Sequence, residues 1–510
     1  MATKSALARR SFLFGLGSAA AAVGLPVQLA EADTSPASAA RGPEALLDQI
    51  REGLAAPPQL TAARGSDEFW REVRQAYLLG DDYIHLNTGT TGSQPSFSLR
   101  NLALYNLYKS LDPRDWEANL NAQFPELFPL GVNASGGPSA IAARQAAVAA
   151  LYGANPDEIV LSYNTTDALN LVFAGTPWHA GDRIITTHWE HPALRGPSAW
   201  ARDQFGVELR VVGLPSQFTS DITKDDVLGR FEAELQRSLP VGAKQYVAVS
   251  EISYKNGLRL PVAELAALAR SYGAYTIIDS AHGWGQIAID AHAYGADFIA
   301  GAGHKWLGGG PGTGIFYVRN SGEDLPPFLL GNFYQYASID ARSRGYQPNF
   351  YVQPRGELNT PALFALSDTV AFFGQIGLQD IQARGTALAS HLRKRIAQQW
   401  GEEALWVQDH KDPAFRTALV SFSPFADRED SAQYEALNTA STAVVQALAE
   451  ESPKIYLRTV TWRDQPNDEA DNRVGFRIST HGVYNSVSEI DYAFDRFVAA
   501  VERSGVAQLG

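Results

Sequence analysis

Beyond Tyr83 the chain repeats one pattern: a short apolar run, a polar or glycine-bearing turn, then apolar residues at helical spacing. The runs Ile159–Leu161, Arg183–Ile185, Leu209–Val212, Tyr246–Val249, Tyr275–Ile278, Phe298–Ala300 and Gly314–Val318 each predict a strand. Between them lie helices such as 168–174 and 261–272, the latter opened by Pro261 and stopped before Gly273. Upstream, helical spacing covers 43–55 and 67–79, with Ser66-Asp67 as the cap of the second. Strand–helix alternation predicts an α/β fold built on an open, mostly parallel sheet with helices on both faces. On such sheets ligands gather beyond the carboxyl ends of the strands.

Composition narrows the classes. The 510 residues are 45% hydrophobic and 19% charged, which excludes a disordered, collagenous or coiled-coil chain. A net charge of −13 speaks against a broad nucleic-acid surface, which needs clustered cations. The chain has no cysteine, so it can form no disulfide, thiolate nucleophile or cysteine-based metal site. Its start is a separate unit. Arg9-Arg10 precedes Ser11-Phe12-Leu13, a mild Ala/Gly-rich apolar run follows, and Ala30-Glu31-Ala32 supplies a cleavage pattern. Residues 1–32 therefore predict a twin-arginine export signal, an exported (periplasmic or extracellular) location and the twin-arginine translocation machinery as a partner. No stable membrane anchor is expected after cleavage.

Chemistry concentrates just after the predicted strands. Asn164-Thr165-Thr166-Asp167 opens a helix; hydroxyls and free amides there suit a phosphate, and a plain helix cap fits the same residues. Asp279 ends one strand run and Lys305 follows the next, 26 residues later. That order suits pyridoxal phosphate. The lysine can form a Schiff base, and the aspartate can keep the pyridine nitrogen protonated so that the ring accepts electrons.

These segments carry a resemblance. Tyr83-Ile84-His85-Leu86-Asn87 with Gly89, Thr165-Thr166-Asp167-Ala168-Leu169-Asn170, Glu190-His191-Pro192 and Asp279-Ser280-Ala281-His282 come first, in order. Gly303-His304-Lys305, Asn359-Thr360-Pro361, and Arg477-Ile478-Ser479 with Tyr484-Asn485 complete the set. From Tyr83 to about Val501 the chain resembles the class V aminotransferase family of fold-type I pyridoxal-phosphate enzymes. That family includes cysteine desulfurases, isopenicillin N epimerase and an exported enzyme of pyoverdine maturation. After the signal at 1–32, the expected division is an N-terminal extension at 33–79, a large cofactor-binding domain at 80–345 and a small α+β domain at 346–510. The resemblance implies that Lys305 carries the cofactor, Asp279 pairs with the ring nitrogen and His191 stacks on the ring. It also implies that His282 bonds the ring hydroxyl and that Thr165, Thr166 and His304 hold the phosphate. Thr360 would reach the phosphate of a partner subunit, so a homodimer is expected. Arg477, with Asn87 beside it, would bind the substrate α-carboxylate through its planar fork.

Departures from the family pattern bear on function. Ala302 stands where many relatives place a phosphate-binding Ser, and Glu251 where they often have Asn or His. A cysteine desulfurase of this family needs a thiolate to accept sulfur, and this chain has none. His188-Trp189-Glu190-His191 has neither H-E-x-x-H nor H-x-x-E-H spacing, so no metal site is expected. No dinucleotide fingerprint or G-x-S-x-G elbow occurs. His85, His292 and His481 fit structural roles. Residues 96–135, with Trp116, Phe124 and Phe128, fit either a substrate entrance or a surface addition, and the aromatic stretch Phe328–Phe350 fits either an entrance or core packing. The expected function is that of a pyridoxal-phosphate enzyme acting on the amino group of an amino acid, peptide or siderophore-type substrate. Aminotransferase activity is the first reading and an epimerase or racemase the second, with a lyase behind them. An epimerase needs a second acid/base, for which His191, His282 and Glu251 are candidates. A cofactor-free binding protein is the remaining class.

Overall fold

In a computed structural model, residues 53–133, 136–320, 353, 356–463 and 472–510 are described. The export signal, nearly all of the helix expected over 43–55 and the aromatic stretch Phe328–Phe350 lie outside the described residues.

The chain enters through α1 (Asp67–Gln75), where the Ser66 hydroxyl accepts the Phe69 N–H and Phe69, Trp70 and Val73 are buried. The helix is shorter than its apolar spacing predicts, because Tyr77 leaves it to bridge Pro95. Next come β1 (Tyr83–His85), α2 (Ser96–Leu111), α3 (Trp116–Gln123), the small hairpin β2 (Gly131–Val132) and β3 (Pro138–Ser139), and α4 (Ala140–Leu151). The main sheet follows as β4 (Ile159–Ser162), α5 (Thr165–Gly175), β5 (Arg183–Thr187), α6 (Pro192–Phe205), β6 (Glu208–Val212), α7 (Lys224–Leu235) and β7 (Gln245–Ser250). It continues with α8 (Val262–Ser271), β8 (Tyr275–Asp279), α9 (Ala291–Tyr294), β9 (Phe298–Ala302) and β10 (Gly314–Val318).

All seven expected runs are strands of one sheet, in the order β4-β10-β9-β8-β7-β5-β6. Strands β5 to β9 pair in parallel, and β10 runs antiparallel between β9 and β4. Successive side chains point to opposite faces, so each strand feeds two cores. Leu161, Ile185, Val247, Ile278 and Ile315 join one, with α4, α7 and α8. Val160, Ile184, Ala248, Ile277 and Phe316 join the other, with α5 and α6. The fold is the α/β, fold-type I architecture expected, with carboxyl ends of β4 to β9 along one edge.

The remainder is α10 (Thr360–Ile376), α11 (Leu378–Trp400), β11 (Leu419–Phe422), α12 (Tyr434–Ala449), β12 (Lys454–Tyr456), β13 (Arg458–Arg463), β14 (Asn472–Ser479) and α13 (Val487–Arg503). Strands β11, β14 and β13 form an antiparallel sheet in that order, and side chains of β11 and β14 share a third core with α11, α12 and α13. The cores interleave along the chain. Ile84 and Leu86 belong to this third core, β1 pairing in parallel with β12, whereas Leu363, Leu366, Val370 and Phe373 of α10 belong to the first. Trp116 and Phe128, in the long connection, pack on Phe364 of α10, with Arg144 over the Phe128 ring at 4.3 Å. Among the described residues no single helix is long and apolar enough to cross a membrane.

Candidate active site

A cavity of about 720 Å³ opens at the carboxyl edge of the main sheet. Its wall includes Thr165, Thr166, His191, Asp279, His282, His304, Lys305 and Arg477, which the sequence placed in five separate segments. Asn87 stands behind this wall: its Oδ1 accepts from Arg477 Nη2 at 3.2 Å, so it orients the guanidinium. Thr360 opens α10 outside the wall, 3.5 Å from Lys109 Nζ.

One end of the cavity is the start of α5. Asn164 Oδ1 accepts the Asp167 N–H, leaving the N–H groups of Thr165 and Thr166 without intrahelical acceptors. Thr165 Oγ1 is buried with no hydrogen-bond partner. A buried orphan hydroxyl costs about 1–3 kcal/mol, and an anion at the positive end of the helix removes that cost.

Asp279 ends β8, buried, with Oδ1 accepting the Ala281 N–H at 3.0 Å. Burial raises its carboxyl above the usual range, against the pull of that N–H and of Lys305. Lys305 follows β9. Burial lowers its ammonium to about 8, opposed by Asp279. Gly92 permits this placement, since a Cβ there would stand 1.9 Å from the Lys305 carbonyl oxygen.

Two histidines face the cavity in fixed forms. Trp306 Nε1–H, which can only donate, lies 3.1 Å from Nδ1 of His282. The neutral ring therefore carries its proton on Nε2, 3.4 Å from Lys305 Nζ. Burial, then Lys305, holds His282 well below the ordinary histidine range. His191 caps α6, its Nδ1 accepting the Ala193 N–H at 3.1 Å, which again leaves the proton on Nε2. Burial lowers it to about 4, followed by Lys305 and nearby arginines. Tyr254 meets its ring edge-on at 4.9 Å.

Arg477 is 2% exposed. Its Nη1 donates to the Tyr254 carbonyl at 2.7 Å and its Nη2 to Asn87 and Thr90, while its Nε is buried without a partner. Burial and the charge of Arg458 lower it to about 9.

Other candidates lie elsewhere. Glu251 is fully buried behind Asp279, accepting from Ser280 Oγ at 2.5 Å and Tyr294 OH at 2.7 Å, so it braces the loop and is withdrawn as an acid/base. His85, His292 and His481 contact Thr91 O, Glu158 and Trp306 O and are not on the wall. No described residue of 96–135 is on it either.

Sequence reasoning missed Trp306, Tyr254, Thr90 and Arg458, together with the tie made by Glu190. Glu190 accepts from Thr187 Oγ1 at 2.6 Å and from Ser250 N at 2.8 Å, joining the carboxyl ends of β5 and β7. Burial raises it to about 7. An apolar strand pattern reports none of these partners; only the Glu-His-Pro motif marked the place.

The donor set fits pyridoxal phosphate: a helix terminus with an orphan hydroxyl, a carboxylate for the ring nitrogen, an N–H for the ring oxygen and a buried amine. Residues 138–492 match the family model described as Aminotransferase class-V. A probable cysteine desulfurase of Methanothermobacter thermautotrophicus is 28% identical over 279 residues, 54% of this chain. The match spans 65% of that relative's length, under two-thirds. Isopenicillin N epimerase of Streptomyces clavuligerus is 27% identical over 346 residues, 66% of this chain and 80% of that one. An apo cysteine desulfurase structure from Thermococcus onnurineus NA1 superposes with a TM-score of 0.63 at 22% identity, covering 88% of this chain and all of that one.

Proposed function

The chain belongs to the aminotransferase class-V family of pyridoxal-phosphate enzymes, and on that footing we propose that it transfers the amino group of an amino acid or amino-acid derivative. The observation that carries this reading is the shared cavity of Lys305 and Arg477. A buried guanidinium with an unpartnered Nε matches an α-carboxylate, and binding one places the adjoining amine and α-carbon toward Lys305. The bound cofactor supplies an electron sink that weakens the bonds to that carbon. Asp279 would hold a positive ring nitrogen, His282 Nε2–H would donate to the ring oxygen, and the Thr165–Thr166 end would hold the phosphate. Lys305 Nζ, at about 8, would take the α-proton and, for amino transfer, deliver it on the same side to the carbon across the amine nitrogen, on the cofactor.

One base working on one face favours transamination over epimerisation, which needs a proton donor on the other face. With Glu251 withdrawn and His282 on the Lys305 side, 3.4 Å from its Nζ, His191 is the candidate for that face, and at about 4 it is unprotonated at neutral pH. Cysteine desulfuration through a thiolate of this chain is excluded by composition. The test is to incubate the loaded enzyme with candidate amines in deuterated water. Transamination yields one equivalent of oxo acid per site until an oxo-acid acceptor is added. Deuterium at the α-carbon with the amine retained and its configuration scrambled would establish epimerisation instead.

Two parts of this proposal rest on sequence. Arg9-Arg10 and the following Ala/Gly-rich run support export by the twin-arginine route, and an exported location favours tailoring of a secreted metabolite, such as a siderophore side chain. Thr360 supports a homodimer, because on the family pattern it reaches the phosphate of a partner subunit, and it stands off its own cavity. Sedimentation at assay concentration tests this; an active monomer would remove it.

A further inference from the structure

A second arginine stands at the cavity. Arg458 opens β13 and Arg477 lies on β14, the two being direct partners in antiparallel register. Both line the cavity. They share one hydroxyl, Thr90 Oγ1, which is 2.9 Å from Arg477 Nη2 and 3.4 Å from Arg458 Nη1. Like charges placed directly opposite repel each other. Among the described residues, the hydrogen bonds of both guanidinia go to carbonyl, amide and hydroxyl oxygens and none to a carboxylate.

The other charges of the wall are accounted for. Asp279 faces the ring end, Asp167 sits at the start of α5 with its Oδ2 accepting the Tyr163 N–H at 3.0 Å, and that helix start would meet the phosphate without an arginine. One α-carboxylate satisfies Arg477, whose Nε is the buried orphan. Arg458 is then left over, and it is exposed, so it stands where a group distal to the α-carbon can reach it. Its Nε donates to the Thr459 carbonyl at 3.0 Å, which holds the side chain along its own strand.

We propose that Arg458 is a specificity-determining residue that binds a second acidic group on the substrate, a carboxylate beyond the α-carboxylate held by Arg477. The inference rests on the amino-acid reading above and refines its substrate class to acidic amino acids or derivatives carrying a free distal carboxylate. A planar guanidinium beside a second one suits two carboxylates on one molecule.

The test measures binding to the cofactor-loaded enzyme by calorimetry, using α-methyl amino acids, which have no α-proton to lose. The probes are α-methyl aspartate, glutamate and 2-aminoadipate, each beside its side-chain amide. In the wild type, the acid of at least one pair should bind roughly tenfold more tightly than its amide, the size of a charge-assisted hydrogen bond. Arg458→Gln should bring that ratio close to one, and Arg458→Lys should keep part of it. A wild-type ratio near one at every length, or a ratio unchanged in Arg458→Gln, overturns the proposal. Arg477→Gln should weaken acids and amides alike. If it weakens neither, the α-carboxylate assignment fails, and the Arg458 ratio is judged separately. A wild type that binds none of the six probes counts against both.

Discussion

Trp306 donates its indole N–H to Nδ1 of His282 at 3.1 Å, and this single bond decides which histidine nitrogen faces Lys305. Trp306 is itself fully buried, and its carbonyl meets His481 Nε2. The arrangement allows little freedom for the ring. Trp306→Phe removes the donor, frees Nδ1 to take the proton and leaves Nε2 a bare acceptor in part of the population. The pH at which the bound cofactor's absorption band titrates should then shift by about one unit, or ~1.4 kcal/mol. An unchanged spectral titration would show that Trp306 does not control the tautomer.

Cofactor attachment should depend on Lys305 alone. Borohydride reduction of the loaded enzyme followed by peptide mapping should find the label on Lys305 and none in Lys305→Ala. The attacking species is the neutral amine, and burial sets the ammonium at about 8. Capture of pyridoxal phosphate by the apoprotein should therefore slow about tenfold per pH unit below that value and level off above it. A rate still climbing toward pH 10 would mean an ordinary, solvated lysine.

Asp279→Asn should retain cofactor and lose activity. The amide cannot favour a positive ring nitrogen, and turnover should fall by roughly a hundredfold or more. Near-native turnover would take Asp279 out of the chemistry.

Gly92 tests how the lysine loop is seated. Alanine there would put a methyl 1.9 Å from a backbone oxygen, which cannot rotate away. Thermal melting should report a loss of about 1–3 kcal/mol, and cofactor capture should slow in the same variant. Wild-type values for both would show that the loop moves freely.

Export is tested by the double variant Arg9→Lys, Arg10→Lys. Folded, cofactor-loaded enzyme should remain inside the cell, active in lysate and missing from the exported fraction. Export at the wild-type level would remove the twin-arginine reading, and with it the argument for a secreted-metabolite substrate.

How much of this was legible in the sequence depended on range. Runs such as Ile184-Ile185 and Ile277-Ile278 mark strands because burial on both faces demands apolar side chains, a local requirement. Asp279 and Lys305 were legible because a strand end is a costly place for an idle charge. Helix α1 fell short of its apolar spacing because Tyr77 has a better partner in Pro95, eighteen positions on. In the connection at 96–135, Trp116 and Phe128 meet Phe364, a contact no local pattern encodes. Arg458 was invisible for the same reason: its meaning comes from standing opposite Arg477, and register between distant strands is not written in either one.

The antiparallel strand β10 sets a clock on the nascent chain. Among the described strands, β4 has one neighbour in the sheet, β10, although the two are separated by the whole run from β5 to β9. The phosphate end of the cavity, which β4 and α5 carry, cannot be docked beside β9 and Lys305 until β10 has been synthesised and inserted between them. Such a long-range closure is slow compared with the local pairing of β5 to β9. Arg477, on β14, arrives later still. A ribosome-bound chain that ends between Lys305 and β10 would own the lysine, the aspartate and the start of α5, yet could not hold the three side by side, because the strand that joins them is still to come.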